Sequence, residues 1–262
     1  MRIVLIGFLV LIFAACNEEK NADTNTPANN EEQAMKDLIN QYPDSFPLIQ
    51  NLTSFYLSNQ NFDRAISLLD NTIKKDSANP FLYDMKNIVY AEKGDTAKAI
   101  VCLEKAIEIL PKPEFIISLG ALYAQSQNPK ALDIADALIE GNKAKAEKEA
   151  YFIKGLYYSL HNEKEKAISF FDKSLALSYT FMDAYMEKGV ALISLNKIKE
   201  ATDVFEKAVT IQNNYAEGYY QLGRCYEKLN RPQDAIDSYN TALIRDSSYI
   251  EAKEAMGRLG VK

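Results

Sequence analysis

The sequence predicts an all-α protein, an α-solenoid in which pairs of antiparallel helices stack side by side. The first observation is an internal repeat, because Gly155, Gly189 and Gly223 follow one another at intervals of 34 residues. Further columns keep a similar register: Tyr151, Tyr185 and Tyr219; Ala65, Ala99, Ala131, Ala167, Ala201 and Ala235. The second observation is a helical spacing of apolar residues inside each interval. A helix pair of this size cannot bury its apolar stripes alone, so stacking of neighbouring pairs supplies the core.

Composition sets broad limits on what the chain can be. Its 262 residues are 47% hydrophobic, which is enough to form a core and excludes wholesale disorder. The balance of 30 Lys and Arg against 36 Asp and Glu gives a net charge of −6, which argues against a nucleic-acid partner. One His and three Cys leave too little material for a His-rich metal centre or a disulfide framework.

The amino terminus has the layout of a secretory signal peptide over residues 1–15. Arg2 precedes an unbroken apolar run from Ile3 to Phe13, and the small residues Ala14 and Ala15 follow. As a helix this run would reach about 16 Å, roughly half the hydrocarbon thickness of a bilayer. It is therefore too short to span a membrane comfortably.

The segment Phe13-Ala14-Ala15-Cys16 resembles the lipobox of bacterial lipoproteins. In that family the signal is removed ahead of the cysteine, and lipid, including palmitate, is attached to it. The resemblance implies that Cys16 anchors the chain to the bacterial cell envelope. The outer membrane is the expected location, and the choice between its periplasmic and surface faces stays open. The alternatives are an ordinary signal peptide with a coincidental cysteine and an uncleaved anchor.

The stretch after this cysteine, from Asn17 to Asn30, contains no Leu, Ile, Val or aromatic residue. Such a stretch cannot offset its ordering entropy by burial, which predicts a flexible tether over residues 16–30. Its root-mean-square reach is about 20 Å. The folded part would then lie close to a membrane without being pressed onto it.

Within one repeat, two apolar stripes at helical spacing predict two helices separated by a turn. The upstream stripe consists of Tyr185, Gly189, Leu192 and Ile193. The downstream stripe consists of Ala201, Val204, Phe205, Ala208 and Val209. Asn196 and Lys197 interrupt the apolar pattern between the two stripes, so they are expected to form the turn.

These units resemble the tetratricopeptide repeat, and the chain is identified as a member of that family. The last unit carries the family pattern in Tyr219, Leu222-Gly223, Tyr226, Ala235, Tyr239 and Ala242. The resemblance implies a right-handed superhelix of six repeats: 46–79, 80–112, 113–147, 148–181, 182–215 and 216–249. Residues 31–45 and 250–262 are expected to form N-terminal and C-terminal capping helices.

Small residues of the pattern are expected to let the paired helices approach closely. Gly189 and Ala201 should allow this approach, with Tyr185 and Phe205 filling the space around the contact. A large side chain at Gly223 or Ala235 should overpack by about 1–3 kcal/mol. The fifth unit departs from the pattern, because Lys188 stands where the family has Leu. The third unit has a displaced second helix, which leaves its register open.

The resemblance also implies a concave groove lined by the first helix of each unit. In the family the second, fifth, ninth, twelfth and thirteenth residues of a unit face it. The candidate partner-binding residues are Ile117, Phe152, Leu156, Met186, Val190, Ile193, Tyr220 and Arg224. A mainly apolar stripe facing solvent is what an apolar segment of a protein or peptide partner would cover. The alternative is that a tightly wound superhelix partly shields these side chains from water.

Several functions are weighed against this protein-binding scaffold. Surface glycan binding is the alternative, with Tyr220 and Phe152 as stacking residues and Arg224 together with Glu217 or Glu227 as polar neighbours. Enzyme activity is not expected, since no phosphate loop, nucleophile elbow, metal-ligand pair or cofactor motif is present in the sequence. Homo-oligomerisation through exposed repeat ends stays open.

Three residues with reactive side chains are expected to have structural roles. His161 is expected at a surface turn, without carboxylate or thiol partners at ligand spacing. Cys102 and Cys225 lie about four units apart, which places them tens of ångströms from each other in a stack, too far for a disulfide. Both are expected to be buried, unpaired thiols.

Overall fold

The computed structural model describes residues 27–141 and 146–261. All the secondary-structure elements within these ranges are α-helices. The predicted signal peptide (1–15), Cys16 and most of the predicted tether lie outside the described residues. Within the described ranges, no helix combines the length and the apolar content needed to cross a bilayer. The helices of this part are α1 (Pro27–Gln41), α2 (Phe46–Ser58), α3 (Phe62–Lys75), α4 (Pro80–Glu92), α5 (Thr96–Ile109), α6 (Pro113–Gln125), α7 (Lys130–Gly141), α8 (Glu147–Leu160), α9 (Lys164–Leu177), α10 (Met182–Ser194), α11 (Ile198–Ile211), α12 (Ala216–Lys228), α13 (Pro232–Arg245) and α14 (Ile250–Arg258).

The chain divides into two compact units, residues 1–55 and residues 56–262. In the described part of the first unit, α1 begins at Pro27, ahead of the predicted capping helix at residue 31. The prediction that residues 27–30 belong to a flexible tether is therefore wrong. Proline favours the first turn of a helix because it has no N–H to leave unpaired and its fixed φ already suits the helix. An ion pair between Lys36 and Glu32, at 2.7 Å and one turn apart, adds to the stability of α1.

The second unit is built from helix pairs that stack in chain order. Within pairs, α4 packs against α5, α8 against α9 and α12 against α13. Between pairs, α3 packs against α4, α5 against α6 and α11 against α12. The pattern confirms the predicted all-α solenoid, because each helix completes its burial against the next helix along the chain.

The turn inside each pair is fixed by backbone geometry. After α10, Asn196 has a φ of 58°, and the N–H of Lys197 donates to the carbonyl oxygen of Leu192 at 2.9 Å. This hydrogen bond closes the end of the helix as a Schellman motif, which needs a residue in the left-handed region. The same region of φ is occupied by Gln60, Gly94, Gln127, Asn162 and Asn230.

The glycine column marks the closest contact between the two helices of a pair. A Cβ built on Gly189 would lie 2.2 Å from the Phe205 ring, and one on Gly155 would lie 2.4 Å from the Phe171 ring. At Gly223 the corresponding distance to the Tyr239 ring is 2.5 Å. Real Cβ atoms do not approach so closely, so the predicted role of these glycines is confirmed.

The lysine that departs from the family pattern has a partner in the preceding helix pair. The Lys188 ammonium lies 2.6 Å from Asp172 on α9. Lys154 makes the same contact with Asp136 at 2.5 Å, and Lys86 with Asp70 at 2.5 Å. The alkyl chains of these lysines are largely buried. Each lysine therefore replaces an apolar contact between repeats with the packing of its alkyl chain and an ion pair at its end.

The carboxyl-terminal helix α14 covers the last pair. Its Ala255 is fully buried in one cluster with Ala235 and Tyr239, and Met256 packs against that cluster. The opposite face of α14 carries the exposed Lys253. This is the arrangement expected of a capping helix with a polar outer face.

Candidate functional site

The candidate groove residues lie on the first helices of four successive pairs. Ile117 is on α6, Phe152 and Leu156 are on α8, and Tyr220 and Arg224 are on α12. Three further candidates, Met186, Val190 and Ile193, are on α10. The fold thus places all eight on equivalent helices, as the repeat requires.

The eight residues differ in how much of their surface solvent can reach. Phe152, Leu156 and Met186 are buried, with exposed fractions of 5%, 3% and 7%. Val190 is 38% exposed. Ile117, Ile193, Tyr220 and Arg224 are partly exposed. The expectation of a continuous solvent-facing apolar stripe is therefore wrong at the three buried positions, and the surface open to a partner is narrower than the sequence suggests.

Aromatic residues at the ends of units explain part of this burial. Phe181 and Tyr249 each immediately precede a first helix, and each packs on a candidate residue of the preceding first helix. The ring centroids of Phe152 and Phe181 are 5.0 Å apart, and those of Tyr220 and Tyr249 are 5.3 Å apart. Tyr215 occupies the equivalent position between them and packs in one cluster with Met186. The sequence signal was present, because these three aromatics are 34 residues apart.

A column of acidic residues follows the aromatics and was not recognised from the sequence. Asp183, Glu217 and Glu251 each come two residues after an aromatic, and Glu149 stands one repeat interval earlier. We call these four residues the acidic column. They occupy the second position of their units, which in the family faces the groove. In Glu149 one carboxylate oxygen, Oε2, is buried and has no hydrogen-bond partner among the described residues.

A fifth carboxylate, that of Glu187 on α10, lies beside this column. Burial raises the pKa of Glu187 to about 7, and the negative charges of Glu217 and Asp183 add to the effect. The positive charge of Lys164 opposes it, but the Lys164 ammonium donates to the Ser159 carbonyl oxygen at 2.6 Å. By solvent exposure Glu187 is only partly buried. The repulsion from Glu217 and Asp183 is therefore only partly offset by Lys164.

Two tyrosines stand next to these acids. The Tyr215 hydroxyl lies 3.5 Å from Glu217 Oε2. Burial and the neighbouring carboxylate of Glu217 raise the pKa of Tyr215, so its phenol stays protonated at neutral pH. Burial likewise raises the pKa of Tyr249. The site combines carboxylates, phenol rings and a few accessible apolar side chains.

The residues considered for glycan binding are engaged within the chain. Phe152 is buried, and the Tyr220 ring lies 5.7 Å from the Tyr239 ring as well as beside Tyr249. The Arg224 guanidinium donates to Gln221 Oε1 at 2.8 Å. The Phe152 ring is thus unavailable for stacking on a sugar, and the Tyr220 ring is partly covered.

The reactive residues occupy structural positions. His161 is exposed at the end of α8, with Nδ1 2.9 Å from the Tyr157 carbonyl oxygen. Cys102 and Cys225 are buried free thiols, as predicted. Burial raises the pKa of Cys225 to about 11 and also raises that of Cys102, which makes both poor nucleophiles. Within the described ranges no group of three His, Cys, Asp or Glu side chains could hold a metal ion.

Solved structures show the same fold. A tetratricopeptide repeat protein from Parabacteroides merdae aligns with a TM-score of 0.68 at 17% identity, over 89% of this chain and 92% of its own. PilW, described as a widely conserved type IV pilus biogenesis factor, aligns with a TM-score of 0.59 at 16% identity, over 80% and 97%. A thermophilic tetratricopeptide repeat protein of Thermus thermophilus aligns with a TM-score of 0.58 at 16% identity, over 69% and 98%. No curated protein matches this chain.

Sequence models described as tetratricopeptide repeat match five stretches of the chain. The matched residues are 48–80, 88–113, 148–180, 183–215 and 216–249. They cover more than half of the 262 residues. The chain therefore belongs to the tetratricopeptide repeat family.

Proposed function

We propose that this protein is a lipid-anchored scaffold of the bacterial cell envelope that binds a protein segment in its concave groove and assists assembly of an envelope complex. Tetratricopeptide repeat proteins bind peptide or protein partners, and the fold is in general a non-enzymatic interaction scaffold. The single observation that carries the proposal is the row of accessible side chains on equivalent first helices. It runs through Ile117, Val190, Ile193, Tyr220 and Arg224.

The proposed binding groove is supported by side chains that remain exposed to solvent. Val190 on α10 is 38% exposed although it is apolar and lies between fully buried neighbours such as Ala191. Its position recurs at Arg224 on α12, one repeat interval later. A partner segment that crosses these helices would cover apolar surface at one step and meet a polar group at the next.

The anchoring half is supported by the sequence around Cys16. An apolar run and two small residues precede this cysteine, which is the order that lipoprotein processing uses. Each buried acyl CH₂ contributes about 0.8 kcal/mol, so several chains anchor a protein almost permanently where one chain does not. The scaffold would then present its groove within a short distance of the bilayer.

The groove is tested by site-specific photo-crosslinking in cells. A crosslinking amino acid at Ile117, Val190 or Tyr220 should capture an envelope protein, because these positions are accessible on the first helices. Matched controls are Ser169 on α9 and Lys199 on α11, which are exposed on second helices. Equal capture from both sets would remove the groove as the binding surface.

The anchor is tested separately with Cys16→Ala. The wild-type protein should incorporate radiolabelled palmitate and pellet with membranes, and the variant should do neither. Cys102→Ala serves as the control, because its thiol is buried and is expected to take no lipid. Label that persists in Cys16→Ala would contradict the anchor and leave the groove proposal standing.

A further inference from the structure

We propose that the outer face of α14 docks an α-helix of a protein partner, which packs an aromatic side chain on Gly257 in the way that the second helix of a repeat does. The outer face is the side of α14 that carries Ile250, Lys253 and Gly257. Lys253 and Gly257 stand three and seven residues after Ile250, and therefore on the same side of the helix. This surface does not include the candidate groove residues, so the inference is independent of the proposed function.

Gly257 continues the glycine column by one further interval of 34 residues, after Gly155, Gly189 and Gly223. Over each of those three glycines lies an aromatic ring of the paired second helix, between 2.2 Å and 2.5 Å from the place a Cβ would take. Over Gly257 no atom of the described residues lies within 4 Å of that place. The helix thus keeps the close-contact position of a first helix, while no ring of the described residues occupies it.

The outer face of α14 is the side that the stack leaves open. Ala252 and Ala255 are fully buried on the other side, and among the described helices α14 packs mainly against α13. Gly257 is exposed, and Ile250 is 63% exposed although it is a large aliphatic residue. Met182, which holds the place of Ile250 on α10, is partly buried. The helix α10 differs from α14 in having a second helix, α11, packed beside it.

A glycine inside a helix needs a packing contact to offset its cost. Glycine destabilises a helix interior relative to alanine, because its backbone loses more freedom on folding. At Gly189 the close approach of the Phe205 ring provides the offset. At Gly257 no contact with the described residues provides one, whereas a ring from another molecule would.

The three established contacts define the helix that fits. In each of them alanine stands four residues before the ring and a small residue stands three residues after it, and all are fully buried. These residues are Ala167, Phe171 and Ser174 on α9; Ala201, Phe205 and Ala208 on α11; and Ala235, Tyr239 and Ala242 on α13. The partner helix should therefore carry Phe or Tyr with small residues at these two spacings.

Lys253 adds a charge to this pattern, because it stands where α8 and α10 have Tyr151 and Tyr185. Over those two rings lie the ammonium groups of Lys173 and Lys207, at 5.6 Å and 5.8 Å from the centroids. Both lysines come two residues after the aromatic of their second helix. A lysine at this place in the partner would be repelled by Lys253, whereas Asp or Glu would pair with it. The partner helix is therefore expected to have an acidic residue two positions after its aromatic.

The test uses the full chain purified in detergent and a fluorescent peptide with the sequence of α11, Ile198–Ile211, carrying the change Lys207→Glu. A hydrocarbon staple between positions 199 and 203, which are exposed in α11, keeps the short peptide helical. Fluorescence anisotropy should show saturable binding. A control peptide that also carries Phe205→Ala should bind at least about tenfold more weakly, since it lacks the ring. A second control that keeps Lys207 should bind about two- to fivefold more weakly, because it lacks the ion pair.

Variants of the chain test the docking position. Gly257→Ala should weaken peptide binding at least about fivefold, because the methyl group overpacks against the ring. It should not lower the melting temperature, since no atom of the described residues lies within 4 Å. The matched control is Gly141→Ala at the end of α7, where the place of a Cβ is equally open, and it should alter the dissociation constant less than about twofold. Lys253→Glu should reverse the charge preference, so that the peptide with Lys207 binds more tightly than the peptide with glutamate.

Four results would overturn docking on α14. These are no saturable binding, equal binding of the peptide without the ring, equal losses in Gly257→Ala and Gly141→Ala, or an unchanged charge preference in Lys253→Glu. In cells, a photo-crosslinker at the exposed Glu254 should capture a helix with the ring, the small residues and the acid at these spacings. Capture of a segment without this pattern would overturn the inferred chemistry of the partner. Capture of a second copy of this chain would instead assign the outer face to self-association.

Discussion

At the scale of single residues, the glycine column shows how a side chain that is absent can determine packing. Gly155, Gly189 and Gly223 each face an aromatic ring so closely that a methyl group has no room. Gly257 in α14 has no atom within 4 Å of the position a Cβ would take. The same substitution is therefore expected to act in opposite directions at the two kinds of site.

Gly189→Ala should lower the free energy of unfolding by about 1–3 kcal/mol, because the new methyl group overpacks against Phe205. Urea unfolding followed by circular dichroism measures the effect. Gly257→Ala is the control and should be neutral or stabilising by about 0.5–1 kcal/mol, since alanine favours a helix. Equal destabilisation by both variants would contradict the close contact at Gly189.

Glu187 provides the second prediction at this scale. Its pKa in the folded chain, about 7, is raised from an ordinary value of 4.5 by burial, then by Glu217 and Asp183, with Lys164 opposing. The folded state therefore holds this proton more tightly than the unfolded state. The favourable contribution is fully present below pH 4.5 and is lost as the pH rises through about 7.

Glu187→Gln should consequently raise the melting temperature at pH 8 by a few degrees, since each kcal/mol corresponds to roughly 2–4 °C in a chain of this size. At about pH 4.5 the variant and the wild type should melt within a degree of each other. Thermal melts across this pH range measure the difference, with Glu200→Gln as the exposed control. A constant offset at every pH would show that the titration of Glu187 is not its source.

At the scale of helices, the contacts between pairs include ion pairs that the family pattern does not indicate. Lys188 lies where the family has leucine, and its partner Asp172 is on α9 of the preceding pair. The lysine side chain is 20% exposed and the aspartate 53% exposed. The pair is partly screened by water, so its net effect should be modest.

A double-mutant cycle with Lys188→Met and Asp172→Asn should give a coupling energy of about 0.5–1 kcal/mol from unfolding curves. The comparison pair is Lys105 and Glu108, which lie 2.7 Å apart within α5, 50% and 66% exposed. Its coupling should be about 0.3 kcal/mol or less. A coupling energy between Lys188 and Asp172 no larger than this would mean that only the packing of the Lys188 alkyl chain contributes to the contact between the helices.

The repeats and helix pairs could be predicted because the periodic residues are those that make equivalent contacts in every pair. Glycine, alanine and aromatic residues recur where paired helices touch, so the roles of Gly189 and Phe205 in that contact were predicted correctly. The contact of Phe152 with Phe181 was not foreseen, because the second aromatic lies at a unit end, which the apolar stripes do not include. The raised pKa of Glu187 was equally hidden, since it depends on burial and on the nearby carboxylates of Glu217 and Asp183.

At the scale of the second unit, α14 closes one end of the stack. Ala252 and Ala255 are fully buried, and the cluster around Tyr239 extends to Met256 on this helix and to Leu259 directly after it. Without α14, the apolar side of the last pair would face water. The ends of a stack have fewer neighbours than its middle, so they are the parts that should open first.

A chain ending at residue 249 should show faster amide hydrogen exchange in α12 and α13, whereas exchange in α8 and α9 should be unchanged. Hydrogen-exchange mass spectrometry resolves the helices separately. A chain ending at residue 259 is the control, because it retains all of α14. Uniformly faster exchange along the whole stack would instead indicate one cooperative folding unit.

The burial of Cys102 and Cys225 has a practical consequence. Neither thiol should react readily with maleimides under native conditions, since both are withdrawn from solvent and slow to ionise. Single cysteines introduced on exposed helix faces could then carry dyes or spin labels without first removing these two buried cysteines. Distances between labelled helices would become directly measurable in a chain whose interior has not been altered.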